Sequence, residues 1–341
     1  MSLASDSRAG TRNFWSGRRV VVIGATGFIG HHVSTRLLQL GADVTVLVRP
    51  TSRRWAGSRI NYAEGSLEDE HSLMRICRGK ELVFHLAGVV DFHSDWERFR
   101  RVNVQGTRHV VAAARAAGAR RLIYTSSIVA VGASAEPATL DETCRWNLGT
   151  LRIPYVTTKR EAEELALSAS SGALEVVAVN PASVVGPDDF ASSEFGTLCR
   201  RFWRGRLPLY FGGGNNFVDV RDVALGHLLA AEHGRAGERY ILGGENRTYG
   251  AFFADLARVA HKPIFRLRFP NAFASVVAAL ERGLRGQSPS KPYLTAGQAC
   301  LLALFFFCTS RKANDQLGYQ ARPLRQSLRD AHDFWIGKRS A

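Results

Sequence analysis

Short runs that are apolar at every position alternate, along the first 180 residues, with stretches in which apolar residues recur every three to four positions. The continuous runs predict strands that are covered on both faces, and the recurring spacing predicts helices. The predicted strands span residues 19–24, 43–48, 60–64, 81–87, 121–126 and 174–180. The predicted helices span residues 29–40, 69–78, 97–117 and 155–170. This alternation predicts an α/β protein with right-handed crossovers and a doubly wound parallel sheet.

The pattern loosens after Pro181, which predicts a second, smaller α/β lobe. The elements expected there are helices at 194–204, 219–232 and 249–260, a strand in ERYILGG and a glycine loop at 211–216. We therefore divide the chain into a flexible polar tail, a first domain and a lobe of which about 217–243 returns to the first domain. The three parts span residues 1–16, 17–180 and 181–341.

Charge and cysteine content narrow the function classes. The net charge is +15, but the arginines are spread along the chain without a known nucleic-acid-binding motif, so no nucleic-acid partner is expected. Five cysteines without a Cys-x-x-Cys pair predict reduced thiols and a cytoplasmic protein, and no spacing predicts a metal site. The longest apolar run, 299–308, is about half the length of a membrane-spanning helix. It predicts a buried element of the second lobe, with peripheral membrane contact as the alternative.

The segment VVVIGATGFIGHHV (20–33) places Gly24, Gly27 and Gly30 between the first predicted strand and the first predicted helix. Glycines in this context let backbone N–H groups approach a pyrophosphate, which the helix N-terminus also attracts. The pattern predicts a dinucleotide site; a tight turn without a ligand is the alternative.

The end of the second strand bears on which dinucleotide binds. An acidic residue there would bind the ribose 2′-hydroxyl of NAD, whereas this chain reads VLVRPTSRR, with Arg49 directly after the strand. A guanidinium suits the 2′-phosphate of NADP, and Arg53 or Arg54 could close over it. The sequence therefore favours NADP(H), with NAD(H) as the alternative.

The segment YVTTK gives Tyr155 a lysine, Lys159, one helical turn later. A nearby ammonium favours the phenolate and makes a tyrosine usable as an acid or base near neutral pH. Ser127, with Ser126 as the second choice, follows the fifth strand and could hold a substrate oxygen against that tyrosine. Asn103 is polar within a packable helix and could anchor a proton-relay water; an ordinary hydrogen-bonded asparagine is the alternative.

Six motifs in order, GATGFIG, HLAG, NVQGT, YTSS, YVTTK and NPASVVGP, resemble those of the extended short-chain dehydrogenase/reductases, also described as NAD-dependent epimerases/dehydratases. The resemblance extends over about residues 18–260. Within that family the chain is most similar to dihydroflavonol-4-reductase-like and hopanoid-associated epimerase-like proteins, and next to 3β-hydroxysteroid dehydrogenases.

The resemblance implies a Rossmann fold and hydride exchange between nicotinamide C4 and a secondary alcohol or ketone. Tyr155 would be the acid/base, Ser127 would hold the substrate oxygen, and Lys159 would tune the tyrosine and contact the nicotinamide ribose. It also implies a homodimer formed through the helices that carry NVQGT and the tyrosine motif. The cofactor-binding candidates are Gly24, Thr26, Gly27, Phe28, Ile29, Gly30, Arg49, Arg53, Ser66, Leu67, Leu86, Ala87, Gly88, Thr125, Tyr155, Lys159, Pro181 and Ser183.

Two departures from the family pattern bear on adenine binding and on the substrate. Where many relatives carry Gly-Asp-Leu, this chain has Ser66 in place of the aspartate that contacts adenine. Where sugar-nucleotide epimerases usually carry an arginine that binds the substrate pyrophosphate, this chain has Asn215 and Asn216. We therefore expect an NAD(P)-dependent oxidoreductase for a small, hydrophobic, steroid- or flavonoid-like substrate. A nucleotide-sugar epimerase or dehydratase is the first alternative, and a non-catalytic relative that senses nucleotides or binds nucleic acid is the second.

Overall fold

A seven-stranded, fully parallel sheet forms the centre of the computed structural model, in the order β3-β2-β1-β4-β5-β6-β10. Its strands are β1 (Arg19–Ile23), β2 (Asp43–Val48), β3 (Asn61–Glu64), β4 (Leu82–His85), β5 (Arg121–Thr125), β6 (Glu175–Pro181) and β10 (Arg239–Leu242). The structure describes residues 14–52, 54, 59–92, 94–205, 209–210, 212–261, 267–268 and 295–337. The prediction of a doubly wound parallel sheet is confirmed.

Helices cover both faces of this sheet because its strands are apolar on both sides. One face carries α1 (Phe28–Gln39) and α7 (Val220–His233), which pack on each other. The other face carries α2 (Glu70–Cys77), α4 (Gly106–Ala116) and α5 (Pro154–Ser168). Strand order reverses between β1 and β4, and ligands of open α/β sheets bind at the carboxyl ends of strands at such a point.

The helix that leads into α4 changes its hydrogen-bond pattern along its length. It begins as α3 (Trp96–Phe99), continues as a π-helical segment (Arg100–Gln105) and ends as α4. The sequence predicts one uninterrupted helix over 97–117, so the position of the helix agrees and its π segment is new. Such segments often occur at functional sites.

A second, four-stranded sheet lies in the second lobe. Its strands are β7 (Ser183–Val185), β9 (Gly214–Asp219), β11 (Glu245–Thr248) and β13 (Phe305–Phe306), with β9 paired to the other three. The remaining elements are α6 (Glu194–Trp203), β8 (Leu209–Tyr210), α8 (Tyr249–Val259), β12 (Leu267–Arg268), α9 (Ala296–Leu302), α10 (Arg311–Leu317) and α11 (Leu324–Ile336). The predicted loop 211–216 is wrong in its second half, because β9 begins at Gly214. The polar asparagines of β9 interrupt the run of apolar residues from which a strand is predicted.

The apolar run 299–308 contributes the end of α9 and all of β13 to the core of this lobe. Ala299, Phe306 and Cys308 are buried, which confirms the prediction of a buried element. Trp15, which falls within the predicted tail 1–16, is fully buried and packs against Phe84; residues 1–13 of that prediction lie outside the described residues. Within the described ranges, every helix is too short or too polar to cross a lipid bilayer.

Candidate active site

The glycine loop between β1 and α1 brings two backbone segments into unusually close contact. Gly24 has φ +99°, and a Cβ there would lie 2.5 Å from the backbone nitrogen of Ala87. A Cβ on Gly30 would lie 2.1 Å from the carbonyl oxygen of Gly24. The two glycines therefore let α1 start directly at the strand end, as a phosphate-binding turn requires.

The N-terminus of α1 has the properties of an anion site. Gly27 caps the helix with extended backbone, no side chain accepts from the first N–H groups, and no acidic residue lies in the first turn. Free N–H groups and the helix dipole together favour a pyrophosphate. Thr26 is exposed in the turn, Ile29 is half-buried and Phe28 is buried, so Thr26 is the side chain of the turn most open to a ligand.

The candidates for the adenosine half lie at the ends of β2 and β3. Arg49 is exposed directly after β2, whereas the Arg54 guanidinium lies 2.5 Å from Glu64 Oε1 and over the Tyr62 ring. Arg53 lies outside the described residues. Ser66 Oγ accepts from the Glu68 N–H at 3.2 Å; the adjacent Leu67 is half-buried.

The loop that follows β4 carries Leu86, Ala87 and Gly88 along the sheet edge next to the glycine turn. The Leu86 N–H donates to the Ile23 carbonyl at 2.7 Å, which extends the β1–β4 pairing by one residue. Gly88 is exposed, and a Cβ there would lie 3.3 Å from Asn103 Oδ1. Ala87 and Gly88 thus add little side-chain volume at this edge of the sheet.

Ser127 and Tyr155 meet at the carboxyl edge of β5. Ser127 precedes a short 3₁₀ turn, where its Oγ accepts from the Val129 N–H at 3.4 Å. Burial raises the pKa of Tyr155, while the neighbouring Ser127 side chain lowers it. The Tyr155 ring packs edge-on against Phe92, with centroids 5.4 Å apart. A tyrosine held in this way is oriented for proton transfer to an oxygen beside Ser127.

Lys159 lies one turn after Tyr155 and is buried. Its ammonium donates to the Thr125 carbonyl at 2.6 Å and lies 3.4 Å from the Tyr124 hydroxyl. Burial lowers the pKa of Lys159 to about 8, and the Glu163 carboxylate opposes that shift. The ammonium thus contacts β5, and its predicted effect on the Tyr155 pKa stays a prediction.

Asn103 lies inside the π-helical segment and joins the loop after β4 to α5. Its Oδ1 accepts from the Val89 N–H at 2.7 Å, and its Nδ2 donates to the Val89 carbonyl and to Thr158 Oγ1, each at 3.2 Å. The amide therefore positions the loop beside the tyrosine helix. The proton-relay water stays a prediction.

The segment after β5 and β6 also borders this edge. Thr125 Oγ1 is 2.8 Å from His227 Nε2. Pro181 and Ser183 are buried, with Ser183 paired to Phe217 of β9. The side-chain oxygen of Ser126 is buried without a hydrogen-bond partner among the described residues, so this second-choice serine retains a free donor and acceptor.

Two acidic residues near the site were not predicted from the sequence. Glu194, the first residue of α6, lies close enough to Tyr155 to raise its pKa, and it accepts from Gln298 Nε2 at 3.2 Å. Glu163 is buried one turn after Lys159. In sequence both carboxylates resemble ordinary charges on helix surfaces, and only the tertiary structure places them at the site.

The positions that would carry the pyrophosphate-binding arginine of an epimerase are buried amides. Asn215 Oδ1 accepts from the Asn216 N–H at 3.0 Å, and Asn216 Nδ2 donates to Asn246 Oδ1 at 2.7 Å. Both amides are thus bound to the protein itself. Among the described residues, no group of His, Cys, Asp and Glu side chains is placed to hold a metal ion.

Comparisons with known proteins agree with this geometry. Residues 20–243 match the model of the NAD dependent epimerase/dehydratase family. A Synechocystis sp. protein named after dihydroflavonol 4-reductase is 35% identical over 91% of this chain and 92% of its own length. Sterol demethylase protein B of Methylococcus capsulatus is 34% identical over 76% of this chain and 80% of its own length. The crystal structure of the protein gox2253 superposes with a TM-score of 0.84 at 33% identity, covering 94% of this chain and 99% of that one.

Proposed function

Because the chain belongs to the NAD dependent epimerase/dehydratase family, we propose that it transfers a hydride between nicotinamide C4 and a ketone or secondary alcohol of a small apolar molecule. The membership confirms the resemblance to extended short-chain dehydrogenase/reductases. The observation that carries the proposal is that Ser127 and Tyr155 lie next to each other at the carboxyl edge of β5, close enough for the serine to affect the Tyr155 pKa, with Lys159 one turn further along α5.

In the proposed reaction the chain positions a carbonyl oxygen and moves one proton. Ser127 donates to the carbonyl oxygen and holds it against Tyr155. A nicotinamide cofactor, when bound at this edge, would be the source of the hydride that the carbonyl carbon accepts. Tyr155 then donates its hydroxyl proton to the oxygen, which yields the alcohol and a phenolate. Oxidation of the alcohol runs through the same groups in reverse, and Lys159 stabilises the phenolate form.

We propose NADP(H) as the preferred cofactor, since Arg49 stands at the end of β2 where an acidic residue would select NAD. The cofactor would lie along the edge that Gly24, Gly27 and Leu86 build, with its pyrophosphate at the N-terminus of α1. NAD(H) is the alternative.

We propose an uncharged, apolar substrate. The buried amides of Asn215 and Asn216 offer no cation to a diphosphate, and Glu194 places a negative charge near Tyr155. Phe92 and Phe99 pack around the tyrosine and give its surroundings an apolar character. The names of the two relatives, which refer to a flavonoid reductase and a sterol demethylase, agree with this substrate class.

The test is a substrate screen with the purified protein, followed by the loss of reduced nicotinamide absorbance. The panel contains a dihydroflavonol, a 3-ketosteroid and UDP-glucose, each with NADPH and with NADH. We expect stoichiometric oxidation of NADPH with a neutral ketone. Redox-neutral conversion of UDP-glucose, with no turnover of any ketone, would instead establish the epimerase alternative.

We further propose a homodimer in the cytoplasm, formed through α3, the π-helical segment and α5. Trp96 is exposed on this face, and the Arg100 guanidinium lies 3.3 Å from Glu161 of α5. All five cysteines are unpaired, as in a reducing compartment. Light scattering on the purified protein tests the dimer, and a charged substitution at Trp96 should yield monomers.

A further inference from the structure

Glu163 is a buried carboxylate at the back of the catalytic helix. It lies one turn after Lys159 on α5 and is 1% exposed. Its Oε1 accepts from Arg239 Nη1 at 3.0 Å, and its Oε2 accepts from Asn180 Nδ2. A carboxylate in such surroundings is stable only with donors on its oxygens, and here a side chain from each of two strands, β6 and β10, supplies them.

The second contact of Asn180 leads from this carboxylate to the catalytic serine. Asn180 Nδ2 also donates to the Ser127 carbonyl at 3.1 Å. One amide group thus binds Glu163 and the backbone of Ser127 together. Any change that moves the carboxylate would shift the serine relative to Tyr155.

The negative charge of Glu163 affects the pKa of Lys159. The titratable groups that face the Lys159 ammonium are His85 from β4, Tyr124 from β5 and Glu163 from its own helix. Burial lowers the pKa of His85 to about 3 and raises the pKa of Tyr124, so both are neutral near pH 7. Arg239 faces Glu163 from the opposite side. Among the described residues that face the ammonium, Glu163 is therefore the anionic one; its own ion pair is with Arg239, and its charge raises the pKa of Lys159.

We propose that Glu163 is a positioning residue, which fixes the backbone of Ser127 through Asn180 and supplies a buried negative charge one helical turn from the Lys159 ammonium. The proposal rests on the proposed function for the role of Lys159. It adds a group behind the catalytic residues that the Tyr-x-x-x-Lys pattern does not include.

The sign of the expected effect follows from the charges. Glu163 raises the pKa of Lys159 against the effect of burial, so Glu163→Gln should lower that pKa below about 8. Contacts that need the ammonium would then be lost at a lower pH than in the wild type. Loss of a buried charge one helical turn from the ammonium should move the transition by about one pH unit. Glutamine also presents an N–H₂ group to Asn180 or Arg239, which are themselves donors.

The experiment measures NADPH affinity by fluorescence titration across the pH range around the Lys159 transition, and kcat across the same range. The matched control is Glu164→Gln, which removes the adjacent carboxylate, an exposed partner of Arg160. Glu163→Asp is the second variant, because it retains the charge but withdraws it by one methylene. Thermal unfolding of each variant shows that it is folded at the assay temperature.

We expect the alkaline loss of NADPH affinity to shift acidward in Glu163→Gln, to shift less in Glu163→Asp, and to stay at the wild-type pH in Glu164→Gln. Unchanged transitions in the two Glu163 variants would overturn the proposal, even if both variants lost stability. If Glu163→Gln does not fold, the transition of Glu163→Asp decides between the same two outcomes. The binding assay needs no substrate, so a wild-type protein that reduces no ketone would contradict the proposed function and leave this test intact.

Discussion

Replacing Arg49 by alanine tests the proposed cofactor preference most directly. Val48 ends β2 in register with Glu64, and Arg49 follows at the edge where the adenosine ribose would lie. The carboxylate of Glu64 is already paired with Arg54, so its charge does not cancel that of Arg49. A charge-assisted hydrogen bond contributes about 1.5–3 kcal/mol, and solvent exposure lowers this to about 1–2 kcal/mol here. We therefore expect Arg49→Ala to weaken NADPH binding about 5- to 30-fold and to leave NADH binding unchanged.

The assay is a fluorescence titration with each dinucleotide, at low and at high salt. The matched control is Arg54→Ala, because that guanidinium is already bound to Glu64 and should affect NADPH affinity less. Added salt should reduce the effect of Arg49→Ala, since exposed charges are screened. Equal losses for NADPH and NADH, or a wild-type protein that binds NADH at least as tightly as NADPH, would refute the reasoning.

Three further substitutions test the site. Tyr155→Phe should lower kcat at least about 100-fold with little change in NADPH affinity, because it removes the proton donor. The control Tyr210→Phe should retain activity. Equal activity of the two variants in steady-state kinetics would contradict the role assigned to Tyr155. Gly30→Ala should abolish dinucleotide binding or folding, because its Cβ would lie 2.1 Å from the Gly24 carbonyl oxygen. NADPH titration measures the binding, and circular dichroism measures the folding. A folded variant with normal NADPH affinity would refute the close packing. Glu194→Gln removes a charge that raises the pKa of Tyr155. The loss of ketone reduction at alkaline pH should therefore move acidward by less than about one pH unit, and an alkaline shift of kcat/KM would contradict the geometry.

The main sheet could be predicted from sequence because its strands are buried on both faces. The first six strands lie within two residues of the predicted ranges, since a run such as RVVVI has no polar position that could face solvent. The strand β9 was not predicted, because Asn215 and Asn216 resemble loop residues, and the Asn246 side chain that binds Asn216 lies thirty positions further along the chain.

The candidate site also contains residues that could be predicted from the sequence and residues that could not. Ser127, Tyr155 and the glycines belong to motifs of fixed spacing, so their positions could be predicted. Glu163 and Glu194 could not, because their importance comes from residues more than ten positions away: Asn180 for the first, and Tyr155 and Gln298 for the second. Hydrogen bonds between distant segments leave no periodicity in the chain.

The π-helical segment Arg100–Gln105 amounts to one inserted residue in an otherwise α-helical rod. One residue corresponds to about 100° of rotation, so the faces of α3 and α4 are out of phase with each other. The insertion falls where Asn103 reaches both Val89 and Thr158. A relative that lacks the extra residue would align with a single-residue gap at this point, and its helix would present a different side chain to the tyrosine helix. The number of residues in this helix, and not only its composition, therefore determines which side chain faces the tyrosine helix.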